Sequence, residues 1–261
     1  MSNTVNLESS ISCPGDPTEW VCSSLAFTHC ALPEALRAIS DLGFSGAELA
    51  VRGDGVWPGH VDADALLQAP GKISREIQAA MDSSGVQISS AGFHVSDRHP
   101  LQAELERFNA TCELVASVGG KAISVFLLAS VDATAEARYA AFAHAAEASG
   151  VRLFVETHRN TLTENPQDAL RWAQQLGARL NLDYDHYRSQ GYGFADYEPL
   201  LPFVGMMQIR EAEEPRLEDH CLPILGAGFS GQITLEHLQM PGESRDLSPT
   251  LSRIREAMLC P

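Results

Sequence analysis

The sequence predicts an α/β fold, a single-domain (β/α)8 TIM barrel, from three observations. Eight short apolar stretches occur along the 261 residues, and amphipathic stretches separate them at fairly even spacing. Repeated βα units of this kind build a parallel sheet, and about 250 residues is the usual length of one such barrel. We therefore expect a polar N-terminal tail over residues 1–20 and one barrel domain over residues 21–261.

Each predicted strand is a short run rich in apolar residues, as is typical of strands that are buried in a parallel sheet. The eight predicted strands cover residues 21–27, 46–51, 86–91, 122–128, 152–156, 180–183, 206–209 and 232–236. Their carboxyl ends should all meet at one face of the barrel.

Amphipathic stretches between the strands predict the helices. They cover residues 32–42, 72–84, 101–118, 133–149, 166–176 and 248–258. Pro33 and Pro166 stand in first turns, where a missing N–H costs no hydrogen bond. Residues 197–203 are predicted to form a short helix, and the segment between the seventh and eighth strands shows no convincing helical period.

Charge and composition limit the partners of the chain. The formal net charge is -16 at pH 7, whereas nucleic acid and anionic membranes attract basic proteins, so we expect neither as a partner. The first 20 residues lack the features of a signal peptide, which favours a cytoplasmic protein that acts on a small molecule. Six cysteines without a CxxC pair indicate reduced structural thiols. A homo-oligomer is compatible with all of these features.

Polar side chains end or nearly end four consecutive predicted strands. Glu156, Asp183, Gln208 and Glu236 follow one another at intervals of 27, 25 and 28 residues, about one βα unit each. They should therefore point at a common volume above the barrel axis. Three carboxylates in a partly dry pocket repel one another unless a cation neutralises them. Oxygen ligands favour one Mg²⁺, Mn²⁺ or Co²⁺ ion over Zn²⁺. The alternative is that each acid caps a helix or pairs with a nearby cation.

Three segments resemble a known family. They are GFSGAELA (residues 43–50), LNLDYDH with Asp183 and His186, and FSGQITLEHL before and after Glu236. From about Trp20 onwards the chain resembles the xylose isomerase-like TIM barrels, a superfamily of sugar isomerases and epimerases. The resemblance implies one divalent metal held by the four residues at the strand ends. Gln208 is similar to the hydroxypyruvate isomerase branch, but the REAEEPR that follows departs from that branch.

The resemblance and these residues together imply a metal-dependent isomerase or epimerase of a small hydroxy-ketone, a sugar or a keto-acid. The metal would chelate the carbonyl and the adjacent hydroxyl and stabilise an enediolate. Glu156 and Glu236, expected on opposite sides of the barrel axis, would shuttle the proton. His186 would hydrogen-bond a substrate oxygen, and His158 and His94 are further candidates for substrate contact.

Arginines follow several predicted strand ends in a chain with only two lysines. They are Arg52, Arg98, Arg159, Arg188 and Arg210. Most of them would neutralise neighbouring acids, but an arginine fork can also bind a carboxylate or phosphate group. Arg210 lies two residues after Gln208 and so on the same side of its strand. We expect it to contact the substrate, which would favour an anionic substrate.

Other functions remain open on the sequence alone. The first is a lyase of the 3-dehydroshikimate dehydratase type, since an enediolate can expel a β-hydroxyl group. The second is a non-catalytic barrel that binds a sugar acid. GAGFSG (residues 226–231) fits the dinucleotide pattern G-x-G-x-x-G, but a strand follows it where a helix is needed. LEDH (residues 217–220) resembles a zinc-binding loop of endonuclease IV-type relatives, although Gln208 and the acidic charge argue against a trinuclear zinc site.

Overall fold

The structure, a computed structural model, describes residues 19–52, 59–210 and 222–236. Within these ranges the strands form one parallel sheet in the order β1-β9-β8-β7-β6-β5-β4-β2-β3. Because β1 also pairs with β2, eight strands close into a barrel, and the two-residue β3 only extends the outer end of β2. The predicted (β/α)8 barrel is therefore confirmed. The strands are β1 Glu19–Ser23, β2 Gly46–Arg52, β3 Val61–Asp62, β4 Gln87–Phe93, β5 Ala122–Phe126, β6 Arg152–Glu156, β7 Leu180–Asp183, β8 Val204–Ile209 and β9 Gln232–Leu235.

Helices occupy the connections between the strands. They are α1 Leu32–Asp41, α2 Ala63–Gln68, α3 Pro70–Ser84, α4 Leu101–Ser117, α5 Ala135–Ala148, α6 Pro166–Leu176, α7 Tyr184–Ser189, α8 Phe194–Tyr197 and α9 Leu222–Gly226. Short 3-10 helices cover Ser24–Phe27 and Glu198–Phe203. The predictions for α1, α3, α4, α5 and α6 agree to within two residues at each end. The helix predicted over residues 248–258 lies outside the described residues.

Three local expectations were wrong. The first strand ends at Ser23 rather than at residue 27, because the Ser23 hydroxyl accepts a hydrogen bond from the Leu25 backbone N–H (3.4 Å) and starts a 3-10 turn. The fourth barrel strand, β5, ends at Phe126 rather than at residue 128. The segment before β9 contains a five-residue helix, α9, although its sequence shows no helical period.

The two faces of the barrel strands carry chemically different side chains. Apolar side chains on the outer face, such as Leu49 and Val51 of β2, pack under the helices in the main hydrophobic core. The inner face carries buried polar groups that bond one another. The Asn181 amide donates to Ser124 Oγ (2.9 Å), and the Gln232 amide donates to Ser90 Oγ (2.8 Å). The barrel interior is thus a hydrogen-bonded network in part.

A buried arginine holds one of the loops beside the barrel mouth. Arg138 of α5 is only 1% exposed, and its guanidinium donates to the carbonyl oxygens of Ser96 (2.9 Å) and His99 (3.3 Å). Burial lowers its pKa, while the charges of Glu104 and nearby acids act against that shift. The loop after β4, which begins at His94, is therefore tied to α5. No helix in the described part of the chain is both long and apolar enough to cross a membrane.

The three cysteines within the described ranges are free thiols: Cys22, Cys30 and Cys112. Burial, with nearby carboxylates, raises the pKa of Cys22 and of Cys112 to about 12. Only the thiolate is nucleophilic, so we expect both to resist iodoacetamide at pH 8 in the native protein and to react after unfolding in urea. Peptide mapping by mass spectrometry checks this, and fast native labelling of Cys22 would contradict it.

Candidate metal centre and substrate cavity

A cavity of about 530 Å³ opens at the carboxyl ends of the strands. This volume lies within the range of about 300 to 1,000 Å³ that is common for small-molecule sites. Side chains from the ends of the barrel strands or from the loops after them form its wall, and many of them are polar or charged. The cavity therefore lies where the sequence predicts the site.

Three carboxylates converge at the floor of this cavity. Glu156 ends β6, Asp183 ends β7, and Glu236 directly follows β9, where its N–H donates to the Ile209 carbonyl oxygen (2.9 Å). One oxygen from each carboxylate lies within 4.8 Å of the other two. Burial, together with the charge of Glu236, raises the pKa of Glu156 well above its ordinary value. The acids therefore disfavour one another's charged forms, as expected of three carboxyl groups that share one pocket.

The fourth predicted ligand, Gln208, lies beside Asp183 in the sheet register. Its amide Nε2 donates a long hydrogen bond of 3.4 Å to Glu156 Oε2, which leaves the carbonyl Oε1 without a donor. Gln208 Oε1 and Glu236 Oε2 are both buried, and neither accepts a hydrogen bond from the described residues. Buried acceptors of this kind fit a hard cation that takes oxygen ligands. The four residues can therefore hold a divalent ion.

Asp183 also has a structural role. Its Oδ1 accepts hydrogen bonds from the backbone N–H groups of Asp185 (3.1 Å) and His186 (3.3 Å), and so caps the N-terminus of α7. Its Oδ2 accepts from Arg210 Nε at 2.6 Å. For Asp183 the alternative of a helix cap and ion-pair partner is thus correct, and it coexists with a position in the carboxylate cluster.

Arg210 lies against the carboxylates rather than reaching freely into the cavity. Besides the bond to Asp183, its Nη2 lies 3.5 Å from Glu236 Oε2 and 3.7 Å from Glu156 Oε1. Burial alone would lower the pKa of Arg210, but the charges of Asp183, Glu236 and Glu156 raise it above the ordinary arginine value. Both glutamates thus contact this guanidinium, and one oxygen of each lies within 4.8 Å of an oxygen of the other. Their sharing of a proton across the barrel axis stays a prediction.

His186 follows Asp183 by three residues and lines the cavity. Its Nε2 accepts a hydrogen bond from Arg210 Nη2 at 3.0 Å, which places the ring proton on Nδ1. Burial, and then the charge of Arg210, lowers the pKa of His186 to about 2. The ring is therefore neutral, and its 3.3 Å contact with Asp183 Oδ2 is not an ion pair.

His94, Phe126, His158 and His186 form a row of rings along one wall. The centroid distances between successive rings are 5.3, 4.5 and 4.1 Å. His158 Nδ1 donates to the Arg159 carbonyl oxygen (2.7 Å), so its Nε2 is an acceptor. A carboxylate oxygen of Glu156 and one ring nitrogen each of His158 and His186 also lie close enough together to hold a metal ion. All three histidines line the cavity, and their contact with a substrate stays a prediction.

The sequence does not single out several residues of the cavity wall, and Phe126 and Glu48 are two of them. Phe126 is the last residue of β5 and lines the cavity together with Ser124. The two residues are two positions apart, so strand alternation predicts that both face inward. Glu48 is the single acid of β2 and is 2% exposed, and the other residues from Gly46 to Val51 are apolar. A charge within such a buried run is the sequence signal that points to it.

The remaining arginines divide into two groups. Arg52 and Arg159 line the cavity, as predicted for residues after strand ends. Arg98 is exposed and Arg188 pairs with Asp185 (3.2 Å), and neither lines the cavity. The ion pair of Arg188 agrees with the alternative that these arginines balance acids.

The two sequence motifs before β9 have different outcomes. GAGFSG runs from the end of α9 to the residue before β9, so a strand indeed follows it. A side chain at Gly231 would collide with the backbone of Gly205, which explains that glycine by close packing rather than by phosphate binding. LEDH lies outside the described residues.

Solved structures with the same fold include enzymes of different reaction types. The probable 3-DHS dehydratase AsbF of Bacillus anthracis is 14% identical, with a TM-score of 0.67 over 93% of this chain and 99% of that one. A D-psicose 3-epimerase is 13% identical, with a TM-score of 0.68 over 90% and 89%. A xylose isomerase-like TIM barrel protein from Mycobacterium smegmatis, solved in complex with magnesium, is 15% identical, with a TM-score of 0.67 over 94% and 96%.

At these identities the likeness shows the fold alone. No protein of curated function matches the sequence. The xylose isomerase-like TIM barrel family model, however, matches residues 36–256, which is most of the chain. The match spans β2 to β9 of the barrel, including all four predicted metal ligands. The chain therefore belongs to the xylose isomerase-like TIM barrel family.

Proposed function

We propose that this protein is a divalent-metal-dependent isomerase or epimerase of a small hydroxy-ketone. The observation that supports this most is the convergence of Glu156, Asp183 and Glu236, with the free oxygen of Gln208, at the floor of an open cavity. When bound, a divalent ion would act as a Lewis acid towards a carbonyl and its neighbouring hydroxyl.

The residues of the chain would do the proton chemistry. Glu156 and Glu236 would accept the proton from the carbon next to the carbonyl and return it, since they are carboxylates beside the space that a substrate would fill. His186, whose neutral ring lines the wall, would orient a substrate oxygen. The ring row with Phe126 would shield the reacting carbon from water.

A lyase of the dehydratase type is the second candidate, because elimination of a β-hydroxyl group can follow the same proton abstraction. The probable dehydratase among the structural neighbours supports keeping it in the test. We suggest incubating the Mn²⁺-loaded protein in D₂O with a panel of ketoses and keto-acids. Deuterium incorporation without loss of water supports the isomerase, and dehydration supports the lyase. A protein that binds panel members without either reaction would contradict both.

Metal content gives an independent prediction. We expect about one Mn²⁺, Mg²⁺ or Co²⁺ ion per chain, because the four proposed oxygen ligands would form a single site. Asp183→Asn should weaken Mn²⁺ binding in isothermal titration calorimetry, with Asp168→Asn on the exposed side of α6 as the matched control. Wild-type protein that holds no metal after reconstitution would contradict the site.

Exchange of the amide ligand should change the preference among metals. Gln208→His replaces a hard oxygen with an imidazole, which Zn²⁺ accepts more readily. We therefore expect the ratio of Zn²⁺ to Mn²⁺ affinity to rise in this variant while the site still binds an ion. Competition titrations with a chelating dye measure the ratio, and an unchanged ranking would remove Gln208 from the ligand set.

A further inference from the structure

Glu48 is a buried acid on the wall opposite the proposed metal ligand Asp183. In the closed order of the barrel, three strands separate β2 from β7 on either side. Strand alternation points Glu48 inward with Ala50 and Arg52, and all three line the cavity. Glu48 lies between Ser23 of β1 and Ser90 of β4 in the sheet register. The cavity wall thus carries a buried acid, Glu48, on the side of the barrel away from Asp183.

The carboxyl group of Glu48 is only partly paired: hydrogen bonds from the side chains of Ser23 and Ser90 reach it, but one of its oxygens remains without a partner. Its Oε2 is buried and has no hydrogen-bond partner among the described residues, although the residue is only 2% exposed. Gly92 is the wall residue next to Glu48 Oε1, and a Cβ atom added at Gly92 would lie 3.7 Å from that oxygen. The missing side chain leaves room between this carboxyl group and the cavity. A buried polar atom without a partner is costly, and such atoms are retained where a ligand completes them.

The electrostatic surroundings agree with a hydrogen-bonding role. Burial, and then the charge of Glu236, raises the pKa of Glu48 to about 8, while Ser23, Arg52 and Ser90 act in the opposite direction. Arg210 pairs with the three carboxylates of the metal cluster, and Glu48 is not one of them. Near neutral pH the group can then donate as well as accept a hydrogen bond. A hydroxyl group, which both donates and accepts, suits such a partner.

We propose that Glu48 binds a hydroxyl group of the substrate at a carbon beyond the carbonyl and hydroxyl pair held at the metal site. Glu48 would thus favour ketoses long enough to reach it. This inference rests on the proposed function and adds to it a residue that selects for substrate length.

A series of ketoses of increasing length tests the role of Glu48. Dihydroxyacetone, erythrulose, ribulose and psicose are compared by deuterium exchange on the Mn²⁺-loaded protein. In the wild type kcat/KM should rise once the chain reaches Glu48. Glu48→Ala should lower kcat/KM for the longer ketoses about tenfold, the equivalent of about 1.4 kcal/mol, and leave dihydroxyacetone unchanged. Glu48→Gln should retain most of the preference, because an amide also donates and accepts.

The matched control is Glu104→Gln. Glu104 is equally buried at 2% exposure but lies on α4, outside the cavity, where it faces Arg107 at 3.9 Å. This variant should keep the wild-type preference for longer ketoses.

A second variant tests the same role without any change to the carboxyl group of Glu48. Gly92→Ala places a methyl group beside Glu48 at ordinary contact distance, and it should also penalise only the longer ketoses.

The outcomes separate this inference from the proposed function. Equal losses for all ketoses in Glu48→Ala, or no loss for any, would overturn the role of Glu48 while the isomerase stands. Wild-type protein that exchanges no deuterium would overturn the isomerase. In that case calorimetric Kd values for the same ketoses, compared between the wild type and Glu48→Ala, test the role of Glu48. The absence of any ketose binding would overturn both proposals.

Discussion

Glu156→Gln is expected to reduce deuterium exchange by the Mn²⁺-loaded protein by a factor of about 10² to 10⁴, the usual contribution of a general acid or base. The amide keeps the size of the side chain and one oxygen, but it cannot accept a proton from carbon. Glu156 is buried at the end of β6, so a carboxylate at the protein surface cannot take over its role as proton acceptor. NMR measurement of exchange under saturating Mn²⁺ separates this loss from weaker metal binding.

The control for this substitution is Glu113→Gln on the exposed side of α4, which should leave the rate unchanged. Calorimetry with Mn²⁺ on both variants shows whether the site is still filled. If Glu156→Gln retained more than a tenth of the wild-type rate with the metal in place, Glu156 would be a ligand only, and the proton would have to move through Glu236.

Loss of the Arg210 guanidinium is expected to destabilise the protein in the absence of metal. Removing one partner of a buried ion pair costs about 3 to 5 kcal/mol, and partial exposure of the Arg210 side chain reduces this to about 2 kcal/mol. The side chain is 33% exposed and contacts three carboxylates. For a chain of this length, Arg210→Met should lower Tm in EDTA by about 4 to 8 °C.

Mn²⁺ should restore most of that loss, because a divalent ion neutralises the same carboxylates. The matched control is Arg188→Met, since Arg188 pairs only at the surface with Asp185 and should shift Tm little. Calorimetric scans with EDTA and with Mn²⁺ measure both effects. Equal Tm values for Arg210→Met and the wild type in EDTA would show that the guanidinium does not stabilise the cluster. A higher KM in the variant would support the predicted contact with substrate.

The positions of the proposed metal ligands in the fold could be predicted, because strand period and strand ends are local properties. Glu156 and Asp183 each close an apolar run, and the spacing to Gln208 repeats the βα unit. The direction of Arg210 could not be predicted in the same way. Its side of the strand follows from alternation, but the contacts of a long flexible side chain depend on charges that are distant in sequence.

The role of β2 was also hidden from sequence. Every residue from Gly46 to Val51 is buried, because one face packs under helices and the other faces the barrel interior. An apolar run with one acid therefore looks like an ordinary buried strand. The short β3 was likewise missed, because two residues, Val61 and Asp62, are too few to show a period.

The hydrogen-bonded interior of the barrel has a consequence for how this sequence can diverge. Asn181 depends on Ser124, and Gln232 depends on Ser90 and Thr234 at 2.9 Å. A single change to a hydrophobic residue at any of these positions leaves a buried polar partner without its hydrogen bond, whereas a simultaneous change of both partners does not. Evolutionary drift beneath the site should therefore proceed through compensated pairs, so that aligned relatives covary at 124 with 181 and at 90 with 232.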